Sequence, residues 1–246
     1  MSVPNLRDIG GILVSDGRHV KSGFLLRSAA LAGATNEGLT QLRNGGLAHV
    51  VDLRTQAEIT SRPDPHIPGV SNHHMDVYGD TSAMGVTELS DAVGDVAAAQ
   101  AGMISAYRNM IILPSAHRAY RRFLDLALRN EPLLFHCTEG KDRTGWGATL
   151  LLTLLSASPE QIEADYLRSN LGLIEQNAQF KAQLMGATPP PNPAVLDIYL
   201  NVAPNYLKAA LDEAAARFGS LKGYVNEALG FDDKAIAELR RIYLAD

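Results

Sequence analysis

Pro132-Leu133-Leu134-Phe135-His136-Cys137-Thr138-Glu139-Gly140-Lys141-Asp142-Arg143-Thr144-Gly145 is the stretch from which the rest of the chain can be read. It opens on a short apolar run bounded by polar residues, the pattern of a buried strand. After it, Arg143 to Ser156 is rich in Leu, Ala and Thr and is expected to be a buried helix. Between strand and helix sits a polar turn at the strand's carboxyl end, where open α/β sheets bind their ligands. The only cysteine of the chain, Cys137, and the arginine Arg143 bracket five residues of that turn.

Those residue types in that order suit a tetrahedral anion. The N–H groups of residues 138–143 and the positive end of the following helix would converge on one point. Thr138, Glu139, Gly140, Lys141, Asp142 and Arg143 are therefore the expected phosphate cradle. The fork of Arg143 can hold two phosphate oxygens at once, and Lys141 would add a second cation, unless it is only a solvated surface charge. Gly140 and Gly145 would let the backbone approach the anion. A helix N-terminus and nearby cations lower a thiol from ~8.5 to ~3.5–7.5, which makes Cys137 a candidate nucleophile. Thr144 would stabilise the sulfur as it departs. The reaction expected is covalent, with thiolate attack on phosphorus followed by hydrolysis of a phosphocysteine. The simpler reading of a lone cysteine, a small buried hydrophobe, fits poorly with the polar run that follows it. A Walker phosphate loop does not fit, because Asp142 follows Gly140-Lys141 and Phe135 stands where its first glycine belongs. His136 reads as a residue that orients the loop.

Elsewhere the pattern alternates. Phe24–Ser28 and Val50–Leu53 read as further short strands. Thr35 or Asn36 can cap a helix to about Asn44, which Gly45-Gly46 stops. Ser115 can cap a helix to about Arg129, with Tyr120, Phe123, Leu124 and Ala127 on one face. Ser158-Pro159-Glu160-Gln161 opens another. Ile236, Leu239, Ile242 and Tyr243 end a helical C-terminal region at core-like spacing. The expected fold is α/β, a mostly parallel central sheet flanked by helices, with residues 1–246 as one domain. Residues 81–112, rich in Ala, Gly and Ser at their start, would form a helical lid insertion or a helix packed on the core. Gly186–Pro193, with four prolines, would be a surface loop.

Composition limits the rest. The net charge of −5 over 246 residues gives no nucleic-acid footprint. One cysteine excludes an internal disulfide and fits a reducing compartment. No apolar stretch is long enough to span a bilayer and no leader pattern opens the chain. A cytoplasmic protein without stable membrane insertion is the expectation; oligomeric state is not legible. His73, His74 and Asp76 lack the fixed spacing of a metal site, so neither metal nor cofactor is expected.

The segment from His136 to Gly145 resembles the protein tyrosine phosphatase superfamily, and more narrowly its bacterial and fungal branch that also acts on other phosphoesters. Further matches are Asn5-Leu6-Arg7-Asp8-Ile9-Gly10-Gly11, Leu26-Arg27-Ser28, Val51-Asp52-Leu53-Arg54 with Glu58, and Ala164-Asp165-Tyr166-Leu167 with Ser169-Asn170. Tyr224-Val225 with Leu229-Gly230 completes them. The resemblance implies a cysteine phosphatase-like fold and a protein-tyrosine phosphatase with broad specificity, whose partner is a phosphorylated protein or a phosphoinositide. Lys141 in particular implies the alternative of a phosphoinositide phosphatase. A phosphate-binding pseudophosphatase would not need the nucleophile, and a rhodanese-like sulfur carrier would not need Arg143-Thr144.

The proton donor to the leaving oxygen is open. Asp142 lies in the loop, as acid or as a brace. Relatives carry the acid on a separate upstream loop, which implies Asp76 or Asp80, but no Trp-Pro-Asp stands there. Arg7 and Asp8 would pair locally, and Asp52 and Arg54 would brace the loop from beneath.

Overall fold

The computed structural model describes residues 3–81, 95–186 and 190–246. Its strands are β1 (Arg7–Asp8), β2 (His19–Val20), β3 (Leu25–Ser28), β4 (His49–Asp52), β5 (Ser71–His74), β6 (Leu133–His136) and β7 (Leu244–Ala245). The main sheet runs β1-β3-β6-β4-β5, parallel except for the antiparallel edge pair β1–β3. Its centre is β6, whose four residues are completely buried. Continuous apolar character is what a strand covered on both faces requires. Neighbours align with it in register, Leu25 and His49 opposite Leu133, Ser28 and Asp52 opposite His136. The expected strands are thus present, β4 and β6 displaced by one residue. β5 is a polar Ser-Asn-His-His edge with no apolar alternation, so no strand is legible there.

Helices α1 (Asn36–Asn44) and α2 (Gln56–Ser61) follow β3 and β4; α3 (Val96–Ile112) and α4 (Pro114–Ala127) precede β6. After the polar turn that follows β6 come α5 (Arg143–Leu154), α6 (Pro159–Gly172), α7 (Ile174–Met185), α8 (Pro193–Leu200), α9 (Pro204–Phe218), the short α10 (Leu221–Gly223) and α11 (Asp233–Tyr243). Thr35 caps α1 and a Ser158–Gln161 capping box opens α6, as their sequences foretell. Ser115 does not cap α4. The helix starts one residue earlier on Pro114, whose fixed φ suits the first turn, and the Ser115 hydroxyl donates to Val77 O at 2.9 Å. The chain leaves the C-terminal helices as β7, which pairs with β2 through Leu244 opposite Val20.

α5 is buried almost all round, because β6 delivers it into the interior. Trp146, Leu150 and Leu151 are fully covered, and a Cβ on Gly147 would sit 3.4 Å from Phe123. The lid expected at 81–112 divides. Residues 82–94 lie outside the described residues, and α3 packs on α4, α8 and α9 with Tyr107, Met110 and Ile111 fully buried. Of the expected loop 186–193, residues 187–189 also lie outside the described residues. No helix among the described residues is long and apolar enough to cross a membrane.

Candidate active site

The turn from β6 to α5 borders a cavity of about 430 Å³. Cys137, Thr138, Glu139, Lys141, Asp142 and Arg143 line its floor and Arg54, Glu58, Ser61 and Arg62 one side. Among the described residues, none of the N–H groups of 138–142 has a hydrogen-bond partner within the protein. A row of free donors at a helix start is an anion nest.

Gly140 is required, but for the scaffold rather than the anion. Its φ is +67°, and a Cβ would lie 2.0 Å from Ser28 O. Close packing of the loop on β3 fixes that position, with Asn5 Nδ2 and Arg27 Nη2 donating to Gly140 O at 3.1 and 2.8 Å. Gly145 likewise faces protein, since a Cβ there would stand 3.0 Å from the Tyr166 ring.

Arg143 does not wait free for substrate. Its Nη1 and Nη2 donate to Glu58 at 2.6 and 2.7 Å, a bidentate pair with both residues buried. Glu58 also accepts from Thr138 Oγ1 and, at 2.8 Å, from Thr55 N. Burial by itself would raise its pKa; the hydrogen bonds and charge of Arg143, with Thr138 and Thr55, hold it far below the usual carboxylate range. Burial similarly works against the charge of Arg143, and Glu58 more than restores it. Tyr78 backs the guanidinium, its ring centroid 5.5 Å from Cζ. Sequence reading missed this role of Glu58. Thr55-Gln56-Ala57-Glu58 is a capping box, formed at the start of α2, and that signal was available. The second use of the carboxylate, on an arginine in another element, was not.

Asp142, which lines the cavity, has both oxygens occupied. Tyr107 Oη donates to Oδ1 at 2.6 Å and Lys141 Nζ to Oδ2 at 2.7 Å. Tyr107 in turn meets Tyr166 Oη at 2.7 Å. Burial, then Asp142 and Tyr166, drive the Tyr107 phenol upward, so it stays a proton donor. Asp76 and Asp80 do not line the cavity. Asp76 accepts from Tyr78 N at 2.9 Å and Gln56 N at 3.3 Å, fastening β5 to α2. Asp80 accepts from Ser115 N and, at 2.9 Å, from Arg118. Their carboxylates are spent on backbone and surface contacts. Thr144 Oγ1 is buried with no hydrogen-bond partner among the described residues.

Beneath the loop, Arg54 Nη2 sits 2.7 Å from both Asp52 and Asp64. His136 connects them to the backbone of Cys137, Nδ1 donating to Cys137 O at 3.0 Å and Nε2 lying 3.1 Å from Asp64. Asp52, Asp64 and His136 offer atoms within 4.8 Å of one another, but Arg54 already supplies the cation there. His74 lies 2.8 Å from Arg54 O, and His73 packs on His49. Arg7 pairs with Asp165 at 2.8 Å rather than with Asp8, which caps Gly10 and Gly23. The outer wall of the cavity is Phe180 of α7 with Tyr199 and Leu200 of α8, not α3.

A sequence model of the tyrosine phosphatase family matches residues 1–245. The chain belongs to the tyrosine phosphatase family. It is 36% identical to the "Putative tyrosine-protein phosphatase H16_A0669" of Cupriavidus necator, over 99% of this chain and 87% of the relative. To the triple specificity protein phosphatase PtpB of Mycobacterium tuberculosis it is 29% identical, over 98% and 96%. Among solved structures, a cysteine-to-serine form of kinase associated phosphatase aligns with a TM-score of 0.37 and 19% identity, covering 76% of this chain and 99% of that one. The tyrosine phosphatases of the matched family are hydrolases.

Proposed function

We propose that the protein is a cysteine-dependent phosphomonoesterase acting on phosphotyrosine with broad tolerance. The observation that carries this reading is the convergence of Cys137, Arg143, Lys141 and a row of unpartnered N–H groups on one cavity. Phosphate enters with its oxygens on those donors, and Arg143 turns part of its fork from Glu58 to the anion. Cys137 Sγ attacks phosphorus as the ester P–O bond breaks. The leaving oxygen takes a proton from Asp142, a carboxyl group that lines the same cavity. Water then attacks the phosphocysteine, Asp142 accepts its proton, the S–P bond breaks with its electron pair leaving on sulfur, and the Thr144 hydroxyl stabilises that thiolate by donating a hydrogen bond.

The walls favour an aromatic ester. Phe180 and Tyr199 line the cavity, where a phenol ring would stack on them. The phosphoinositide alternative rests on Lys141, whose charge is matched by Asp142 just as that of Arg143 is matched by Glu58. That near-neutral floor suits a single phosphate better than a heavily charged head group.

Phosphate release from phosphotyrosine peptide, phosphoserine peptide and short-chain phosphoinositides, with wild type and Cys137→Ser in EDTA, tests the proposal. Release that is fastest from phosphotyrosine, survives EDTA and is lost in the variant is expected. Metal dependence or turnover by Cys137→Ser would overturn it.

A further inference from the structure

At the end of α5 away from Arg143, a cavity of about 500 Å³ opens between α5, α10 and α11. The 12 residues of α5 span about 18 Å, and no residue lines both this cavity and the one that holds Cys137. Its floor is aliphatic. Leu150 and Leu154 of α5, Val225, and Ile236 of α11 are buried around it. Val225 belongs to a π-helical turn, Tyr224–Ala228, where Leu229 N donates to Tyr224 O at 3.2 Å. Such turns collect at functional sites.

The rim is cationic. Arg18, Lys222, Arg240 and Arg241 surround the floor against one acid, Asp233, on a chain whose net charge is −5. Three of the four are paired at the surface: Arg18 with Asp16 at 2.7 Å, Lys222 with Asp233 at 2.9 Å, Arg241 with Glu238 at 2.5 Å. Exposed pairs of this kind hold weakly. Arg240 differs. Its Nε donates to Leu154 O at 2.6 Å, while among the described residues it forms no ion pair and its Nη1 and Nη2 no hydrogen bond. Asp16 and Asp233, the carboxylates that its charge reaches, are the ones already paired. Thr153 Oγ1, on the same lining, also has no hydrogen-bond partner among the described residues.

We propose that this cavity binds a medium-chain aliphatic carboxylate, its head on the Arg240 fork and its chain along Leu150, Leu154, Val225 and Ile236. A guanidinium anchored through one nitrogen offers the other two as a preset fork, which a carboxylate takes bidentately. The volume lies within the ~300–1,000 Å³ of small-molecule sites. Among the described residues no aromatic ring lines the cavity, so a nucleotide base would find nothing to stack on. A bare polyphosphate would meet Asp233 and leave the floor unfilled, whereas each methylene of an aliphatic chain buried there tightens binding about fourfold.

The test is calorimetric titration of the full chain with sodium octanoate, against acetate, which has the head alone, and octanol, which has the chain alone. Octanoate should bind one to one, more than about tenfold tighter than either, and weaken as ionic strength rises. Ala237→Glu puts a carboxylate three residues before Arg240, at an exposed position of α11 that lines the cavity, where it occupies the fork. It should weaken octanoate about tenfold, leave octanol unchanged and keep phenyl phosphate turnover within about twofold of wild type. Arg240→Ala should weaken octanoate equally; if losing the contact to Leu154 O unfolds that variant, Ala237→Glu, a good helix former at an exposed site, carries the test alone. Octanoate that does not bind, binds no tighter than acetate, or binds Ala237→Glu as tightly as wild type would overturn the site. So would octanoate held in the cavity of Cys137, seen as competitive inhibition of phenyl phosphate hydrolysis that is equal in wild type and Ala237→Glu.

Discussion

Two buried arginine–carboxylate assemblies flank the phosphate loop, and they differ in what they hold. On the cavity side one guanidinium meets one carboxylate, Arg143 with Glu58. On the other side two guanidinium groups share a single carboxylate, Arg7 and Arg27 with Asp165 at 2.8 and 2.5 Å. Burial and the neighbouring Arg27 charge bring Arg7 down to about 10, while the two arginines hold Asp165 below its usual range against the opposing effect of burial. Arg27 Nη2 donates to Gly140 O, and Arg7 steadies Asn5, which also donates to the loop. The first assembly sits on the cavity that the proposed reaction would use; the second fixes backbone. On the proposed reading a phosphate dianion in the cavity would compete with Glu58 for Arg143, whereas neither Arg7 nor Arg27 lines the cavity.

Substitutions on the two sides should therefore separate stability from catalysis. The largest stability loss is expected for Asp165→Asn, which leaves two buried cations uncompensated. About 3–5 kcal/mol in denaturant unfolding is anticipated, with kcat of the folded fraction close to wild type. Glu58→Gln should invert that balance. Arg143 loses its alignment, and kcat/KM for phenyl phosphate should fall about a hundredfold, with a smaller change in the unfolding midpoint. Equal effects of the two variants on both measurements would erase the distinction.

The acid stability of the fold sharpens the comparison. Glu58 and Asp165 have folded pKa values below their unfolded ones, so their contribution is complete above the unfolded values, about 4.3 and 3.9. It is lost as pH falls toward the folded values. Unfolding free energy measured below about pH 4.3 should fall less steeply in Glu58→Gln than in wild type. Tyr107→Phe should act in the smallest way, removing one hydrogen bond to Asp142. A fall of about tenfold in kcat, with little change in stability, is expected.

What the chain discloses locally it discloses well. Strand, loop and helix from Leu133 to Leu154 are contiguous, so one apolar run and one polar turn reveal them. β3 and β4 follow from the same logic. The partnerships that make the loop work are long-range. Glu58 and Arg143 are 85 residues apart, Arg7 and Asp165 158 apart, and no periodicity connects them. Arg7 beside Asp8 suggests a local pair, but β1 turns the two side chains to opposite faces of the sheet. Tyr107, read only as part of a small-residue segment, reaches Asp142 because α3 packs into the core. The cavity wall comes from α7 and α8, where Phe180, Tyr199 and Leu200 carry no motif. Asp76 is eligible as an acid by its type and position upstream, and only geometry shows that it does not line the cavity, whereas Asp142 does.

The most direct measurement is acid-quenched mass spectrometry during turnover of phenyl phosphate. One phosphoryl group should be found on the peptide that contains Cys137 in wild type, and none in Cys137→Ser. Phosphate release with no such adduct, or with the phosphoryl group on another residue, would contradict Cys137 as the nucleophile of this site.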